Sequence, residues 1–197
     1  MAKNRPLLIK GAASDWKAFK KWSLDYFQNS SIGDTVVTIS LDTKEGGKKL
    51  RQSLREYIST FHRNETAAAA PKVDEANDID ESAPKFVPYM RAWYFPETNE
   101  ELLEDFPNPP PCFPDKFKKL ERQFQPPFTW IFVGPKGSYS PLHRDIWFTC
   151  AWMAQFEGRK RFVFFPPSDT KHIYTKVILE FCDIAIIDLK KCESLST

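Results

Sequence analysis

A chain of 197 residues, 42% of them hydrophobic and 15% aromatic, is long enough to bury one core, and its 17 phenylalanines are more than a disordered chain would carry. Lys and Arg total 28 against 26 Asp and Glu, so the net charge of +2 calls for no polyelectrolyte partner, and nucleic acid is not expected. The four cysteines contain no CxxC pair and make no disulfide framework, which points to a reducing compartment, nucleus or cytoplasm; no apolar run is long enough for a signal peptide or a membrane span.

Taken in chain order, Pro6-Leu7-Leu8-Ile9-Lys10-Gly11 is an apolar run bounded by proline and glycine and predicts a strand. Ser14 and Asp15 offer N-caps for a helix with Trp16, Phe19, Trp22 and Tyr26 near helical spacing, and Ser23 offers a cap for a second short helix over 24–27. The β-branched run Thr35-Val36-Val37-Thr38-Ile39-Ser40 predicts a strand. Leu50, Leu54, Tyr57, Ile58 and Phe61 form a stripe that predicts a helix over 50–61. From Asn64 to Lys85 an alanine run gives way to Asp74, Glu75, Asp78, Asp80 and Glu81, the composition of a disordered insertion.

Order is expected to resume at Tyr89-Met90-Arg91-Ala92-Trp93-Tyr94-Phe95. Between Pro96 and Pro127 the prolines, among them Pro109-Pro110-Pro111, predict an extended crossing with one short helix over 117–124. Strands are then predicted over 128–133, 147–156 and 161–165, separated by Gly134-Pro135-Lys136-Gly137 and Glu157-Gly158-Arg159. Several short strands broken by turns are what a barrel or jelly roll requires. The chain reads as an N-terminal α/β part over 1–63, an acidic insertion over 64–86, and strands over 87–197, with no internal repeat.

His143 and Asp145 are one residue apart after a Gly/Ser-rich turn, so on an extended segment both side chains face the same way. An imidazole nitrogen and a carboxylate on one face are two of the three ligands with which a facial triad holds non-haem iron(II). The spacing by itself is common by chance and better describes a loop histidine beside a solvated aspartate. Lys160, between Arg159 and Arg161, reads on its own as a solvated turn residue, and Thr149 as an ordinary strand residue. Trp147, Phe148, Trp152 and Phe156 read as barrel core.

The succession is more specific than any of its parts. Residues 130–145, Trp-Ile-Phe-Val-Gly-Pro-Lys-Gly-Ser-Tyr-Ser-Pro-Leu-His-Arg-Asp, are followed by Ala151-Trp152, by Gly158-Arg159-Lys160-Arg161-Phe162-Val163-Phe164-Phe165 and by Pro166-Pro167. This closely resembles the JmjC, cupin-like family of iron(II)- and 2-oxoglutarate-dependent oxygenases. Arg5-Pro6-Leu7-Leu8-Ile9-Lys10-Gly11, with Trp16 and Lys21-Trp22-Ser23, is similar to the entry into its lysyl-hydroxylase and arginine-demethylase-like branch. The resemblance implies a mainly β chain with N-terminal α/β elements, built on a double-stranded β-helix. It implies iron(II) on His143 and Asp145, and 2-oxoglutarate held through its distal carboxylate by Lys160 with help from Thr149. The substrate it implies is a protein side chain, on a histone or another nuclear protein, that is hydroxylated or demethylated.

The family's third iron ligand is a second histidine well downstream. Here the other histidines are His62, at the end of a predicted helix, and His172, just beyond Pro166-Pro167; neither matches. The tail, Val177-Ile178-Leu179-Glu180-Phe181-Cys182-Asp183-Ile184-Ala185-Ile186-Ile187-Asp188, is similar to the family's strand before that histidine and would place the ligand near Glu193. The expected barrel is therefore incomplete at its C-terminal end. Two readings stay open: a dioxygenase of this family, or a catalytically inactive module that binds a protein partner through the pocket or through residues 107–114.

Overall fold

Ser23 interrupts the first helical stretch. It lies in extended backbone and its hydroxyl accepts the Tyr26 N–H at 3.0 Å, so α1 (Lys17–Lys21) ends and α2 (Leu24–Asn29) starts anew. The computed structural model describes residues 5–42, 47–66, 86–107, 110, 115–166 and 168–169. Most of the expected acidic insertion, part of the proline run, His172 and the whole tail including Glu193 lie outside the described residues, as does the His62 side chain. Two units are distinguished, one of residues Trp16–Tyr139 and one of Met1–Asp15 with Ser140–Thr197.

In the first unit, β1 (Val36–Ser40) pairs antiparallel with β2 (Lys49–Ser53), Ile39 opposite Leu50 and Val37 opposite Gln52. The alternation of β1 buries Val37 and Ile39 and leaves Val36 exposed. The helix predicted over 50–61 is corrected here: residues 49–53 are strand, and α3 runs over Leu54–Thr66. The β1 backbone needs a ladder partner, and this segment supplies it. A capping box then starts the helix, the Ser53 N–H donating to the Glu56 carboxylate at 3.1 Å and the Glu56 N–H to Ser53 Oγ at 3.2 Å.

β3 (Met90–Trp93) pairs antiparallel with β4 (Ile131–Val133), Met90 opposite Val133 and Trp93 opposite Ile131. Three steps along β3 match two along β4, and Ala92, with φ 54°, is the bulged residue. A two-bond bridge between Ser40 and Tyr89, 2.9 and 3.0 Å, links β1 to the start of β3. The strand predicted from residue 128 is shortened by its approach through Pro126-Pro127, and the helix predicted over 117–124 is two 3-10 turns, Phe117–Lys119 and Arg122–Phe124. Further 3-10 turns over Phe95–Glu97 and Glu100–Asp105 occupy the crossing.

The core of this unit contains Trp22, Phe27, Ile39, Leu54, Ile58, Met90, Phe95 and Leu102. The ring of Trp22 meets those of Phe27, Phe95 and Phe106 edge to face at 5.6, 6.3 and 5.6 Å. Two polar groups are buried among them. Asp105 Oδ2 accepts from Lys21 Nζ and from Trp22 Nε1, each at 2.8 Å, and this hydrogen bond raises the pKa of Lys21 above its ordinary value. The Tyr57 hydroxyl lies 3.0 Å from the carbonyls of Pro88 and Val133 and accepts the Met90 N–H at 3.2 Å, tying α3 to both strands of the second pair. Burial raises the pKa of Tyr57, and pushes that of Tyr89 up to about 12.

In the second unit the predicted strands are corrected as well. Residues 6–9 form no strand; Ser14 closes a turn on the Gly11 carbonyl through its N–H at 3.2 Å and its hydroxyl at 2.8 Å instead of capping α1, whose N-cap is Trp16. Residues 149–166 carry no strand either. From 151 to 156 they keep the alternation of an extended chain, exposed then half-buried, but no other described segment of the unit supplies a ladder.

Candidate metal centre

The chain leaves β4 through Gly134, where a Cβ would come within 2.5 Å of the Tyr89 ring and collide with Ser138 Oγ. A turn follows, closed by the Ser138 N–H on the Pro135 carbonyl at 3.1 Å. Beyond it, in the second unit, His143 and Asp145 come together: Nε2 of the imidazole lies 3.6 Å from Oδ1 of the carboxylate. The side chains are 31% and 45% exposed, open enough to be reached and near enough to act on one ion.

The orientation of His143 is set from behind. Its Nδ1 lies 3.0 Å from the Pro141 carbonyl. A proton on Nδ1 donated to that oxygen places the imidazole lone pair on Nε2, the nitrogen turned toward Asp145. Two ligands that each sit roughly 2 Å from one ion occupy neighbouring positions about 3 Å apart, so a spacing of 3.6 Å suits a shared cation after a small adjustment. An imidazole and a carboxylate suit iron(II) in kind. Among the described residues no third His, Cys, Asp or Glu joins them.

Asp145 lies in extended backbone and precedes a 3-10 turn over Ile146–Phe148. Within that turn Trp147 adopts φ 56° and ψ 22°, the left-handed region, and is 69% exposed. This corrects its expected place in a barrel core; Trp152 and Phe156 are half-buried, and the Phe148 side chain lies outside the described set. Thr149 closes the turn twice on the Ile146 carbonyl, through its N–H at 3.2 Å and its hydroxyl at 2.9 Å.

Lys160 is half-buried, unlike the exposed Arg159 and Arg161 beside it, and its Nζ lies 5.4 Å from the centroid of the Phe162 ring. Burial lowers its pKa to about 8. A lysine sequestered from water in this way is stabilised as a cation by an anion delivered to it. The structure thus joins two of the four sequence-predicted residues directly, His143 and Asp145, and sets Thr149 in the turn after them. Sequence reasoning missed the Pro141 carbonyl and the Ile146 carbonyl, since backbone acceptors carry no residue signature.

The segment carries an imidazole and a carboxylate side by side, followed along the chain by a desolvated lysine. The chain belongs to the cupin-like domain family, whose sequence pattern matches residues 1–195. It is 24% identical over 207 residues to the arginine-specific demethylase JMJ20 of Arabidopsis thaliana, covering 89% of this chain and 40% of that protein. It is 30% identical over 164 residues to the arginine-specific demethylase JMJ22 of the same plant, covering 83% and 27%. To the bifunctional peptidase and (3S)-lysyl hydroxylase JMJD7 of Homo sapiens it is 25% identical over 178 residues, covering 86% and 50%. The chain therefore spans half or less of the length of each of these relatives.

Proposed function

We propose that this chain carries the metal- and cosubstrate-binding segment of an iron(II)- and 2-oxoglutarate-dependent oxygenase that hydroxylates or demethylates a protein side chain, on a jelly-roll scaffold. The observation that carries this reading is the His143–Asp145 pair, 3.6 Å apart, with its imidazole oriented by the Pro141 carbonyl. Relatives named as arginine demethylases and a lysyl hydroxylase support the class of substrate. His143 and Asp145 would hold iron(II), which would supply the oxidation chemistry with 2-oxoglutarate as cosubstrate. Lys160 would take the distal carboxylate of 2-oxoglutarate, and a charged hydrogen bond in a half-dry site holds such an anion well. The hydroxyl proton of Thr149 goes to the Ile146 carbonyl, which leaves Lys160 as the carboxylate anchor.

The test uses Mn(II), which favours the same oxygen and nitrogen donors as iron(II). The parent chain is expected to bind it and His143→Ala/Asp145→Ala to lose it; equal binding by both sinks the reading. A second reading, a cupin-like module that binds a protein partner without catalysis, is favoured by one observation: the described residues bring two donors together rather than three. Succinate released from 2-oxoglutarate by the purified chain with Fe(II) would exclude it.

A further inference from the structure

We propose that Thr149 is a positioning residue for the metal pair, its hydroxyl closing the turn after Asp145 and so setting where the Asp145 carboxylate stands relative to the His143 imidazole. The inference rests on the metal-binding reading above and assigns a role to a side chain that need not touch metal or cosubstrate. Asp145 is the last extended residue before the turn, so the direction of its backbone is fixed by whatever holds residues 146–149. No strand ladder does so: β4 ends at Val133, and residues 134–166 carry no strand.

Two local bonds close the turn. Trp147 sits in the left-handed region, which costs a residue with a β-carbon about 1–2 kcal/mol and persists only where neighbouring bonds enforce it. Thr149 supplies both of the bonds that converge on the Ile146 carbonyl, the shorter one, 2.9 Å, from its side chain. His143 is held directly, its ring against the Pro141 carbonyl two residues before it, whereas Thr149 acts on Asp145 only through the backbone of the turn between them. A hydroxyl that donates its proton to a backbone carbonyl has no proton left to donate to a carboxylate. The hydroxyl thus acts on the ligand geometry.

Mn(II) titration of the full 197-residue chain without 2-oxoglutarate, read by electron paramagnetic resonance for both affinity and number of sites, tests this. Thr149→Val keeps the branched side chain and removes the hydroxyl; it is expected to weaken Mn(II) about tenfold with the number of sites unchanged. Thr149→Ser restores the hydroxyl and is expected to restore the parent affinity. If Thr149→Val binds Mn(II) as the parent does while His143→Ala/Asp145→Ala does not, the positioning role is overturned. If Thr149→Val loses sites rather than affinity, Thr149 is a folding residue and the role is likewise overturned. Parent-like binding by His143→Ala/Asp145→Ala removes the metal reading itself, and the positioning role with it.

Discussion

Residues 16–139 and residues 140–166 are both rich in aromatic side chains, and they hold them in opposite ways. In the first region Trp22, Phe27, Phe95 and Phe106 meet edge to face around a buried centre, and Phe95 is 1% exposed. In the second, Phe162 and Phe164 stack at 6.0 Å with an interplanar angle of 4°, yet Phe164 stays 54% exposed and Trp147 more so. The first region has ladders that fix its backbone and a helix, α3, laid against them. The second keeps the alternation of an extended chain without a ladder, and short-range bonds to backbone carbonyls engage His143 and Thr149. Hydrophobic pattern alone does not make a sheet; the backbone groups require partners.

That contrast can be broken by mutation. The largest loss is expected from Phe95→Ala, about 3–5 kcal/mol in urea unfolding, because the cavity lies where strands and turns cannot collapse. Asp105→Ala follows at about 2–3 kcal/mol, since it removes the acceptor of the buried Trp22 indole N–H, while the half-exposed Lys21 turns to water. Tyr57→Phe is expected to cost about 1–3 kcal/mol by leaving the Met90 N–H without its oxygen. Phe164→Ala, in the second region, should change stability by less than about 0.5 kcal/mol. A loss from Phe164→Ala equal to that from Phe95→Ala would show that residues 140–166 carry a core of their own weight.

The two lysines sharpen the same comparison, because their environments push in opposite directions. Hydrogen bonding to Asp105 raises Lys21 above its ordinary 10.5, so its contribution is present below that value and is lost as pH rises through the raised one. Burial lowers Lys160 to about 8, so the unfolded chain holds a proton there that the folded chain gives up, and stability rises with pH between about 8 and 10.5. Lys160→Met should flatten that rise. Lys21→Met should lessen the fall at higher pH, to which Tyr57 and Tyr89, kept neutral by burial, also contribute. In binding, 2-oxoglutarate affinity is expected to decline as pH climbs through about 8, and Lys160→Met to lower it roughly tenfold or more at neutral pH by calorimetry.

The sequence by itself determined what rests on neighbours in the chain. The cap at Ser23, the β-branched strand β1, the alternative of two short helices and the His143-x-Asp145 pair were all legible, since each depends on residues within a few positions. So was the family, through the order of motifs around that pair. The capping box of Ser53 and Glu56, which marks the true start of α3, was missed in favour of the longer apolar stripe from Leu50.

Only the tertiary structure decided the rest. Residues 49–53 became a strand because β1 offers them a ladder, and 149–166 did not because none of the described residues offers one. Asp105 is buried because Lys21 and Trp22, more than eighty positions away, converge on one of its oxygens. Tyr57 became a joint because three backbone groups from two distant strands and their approach meet its hydroxyl. Thr149 gained its place from a backbone carbonyl that no side-chain pattern announces. Partners far apart in the chain, and backbone acceptors that every residue possesses, leave no local mark; they become specific only when the chain has folded.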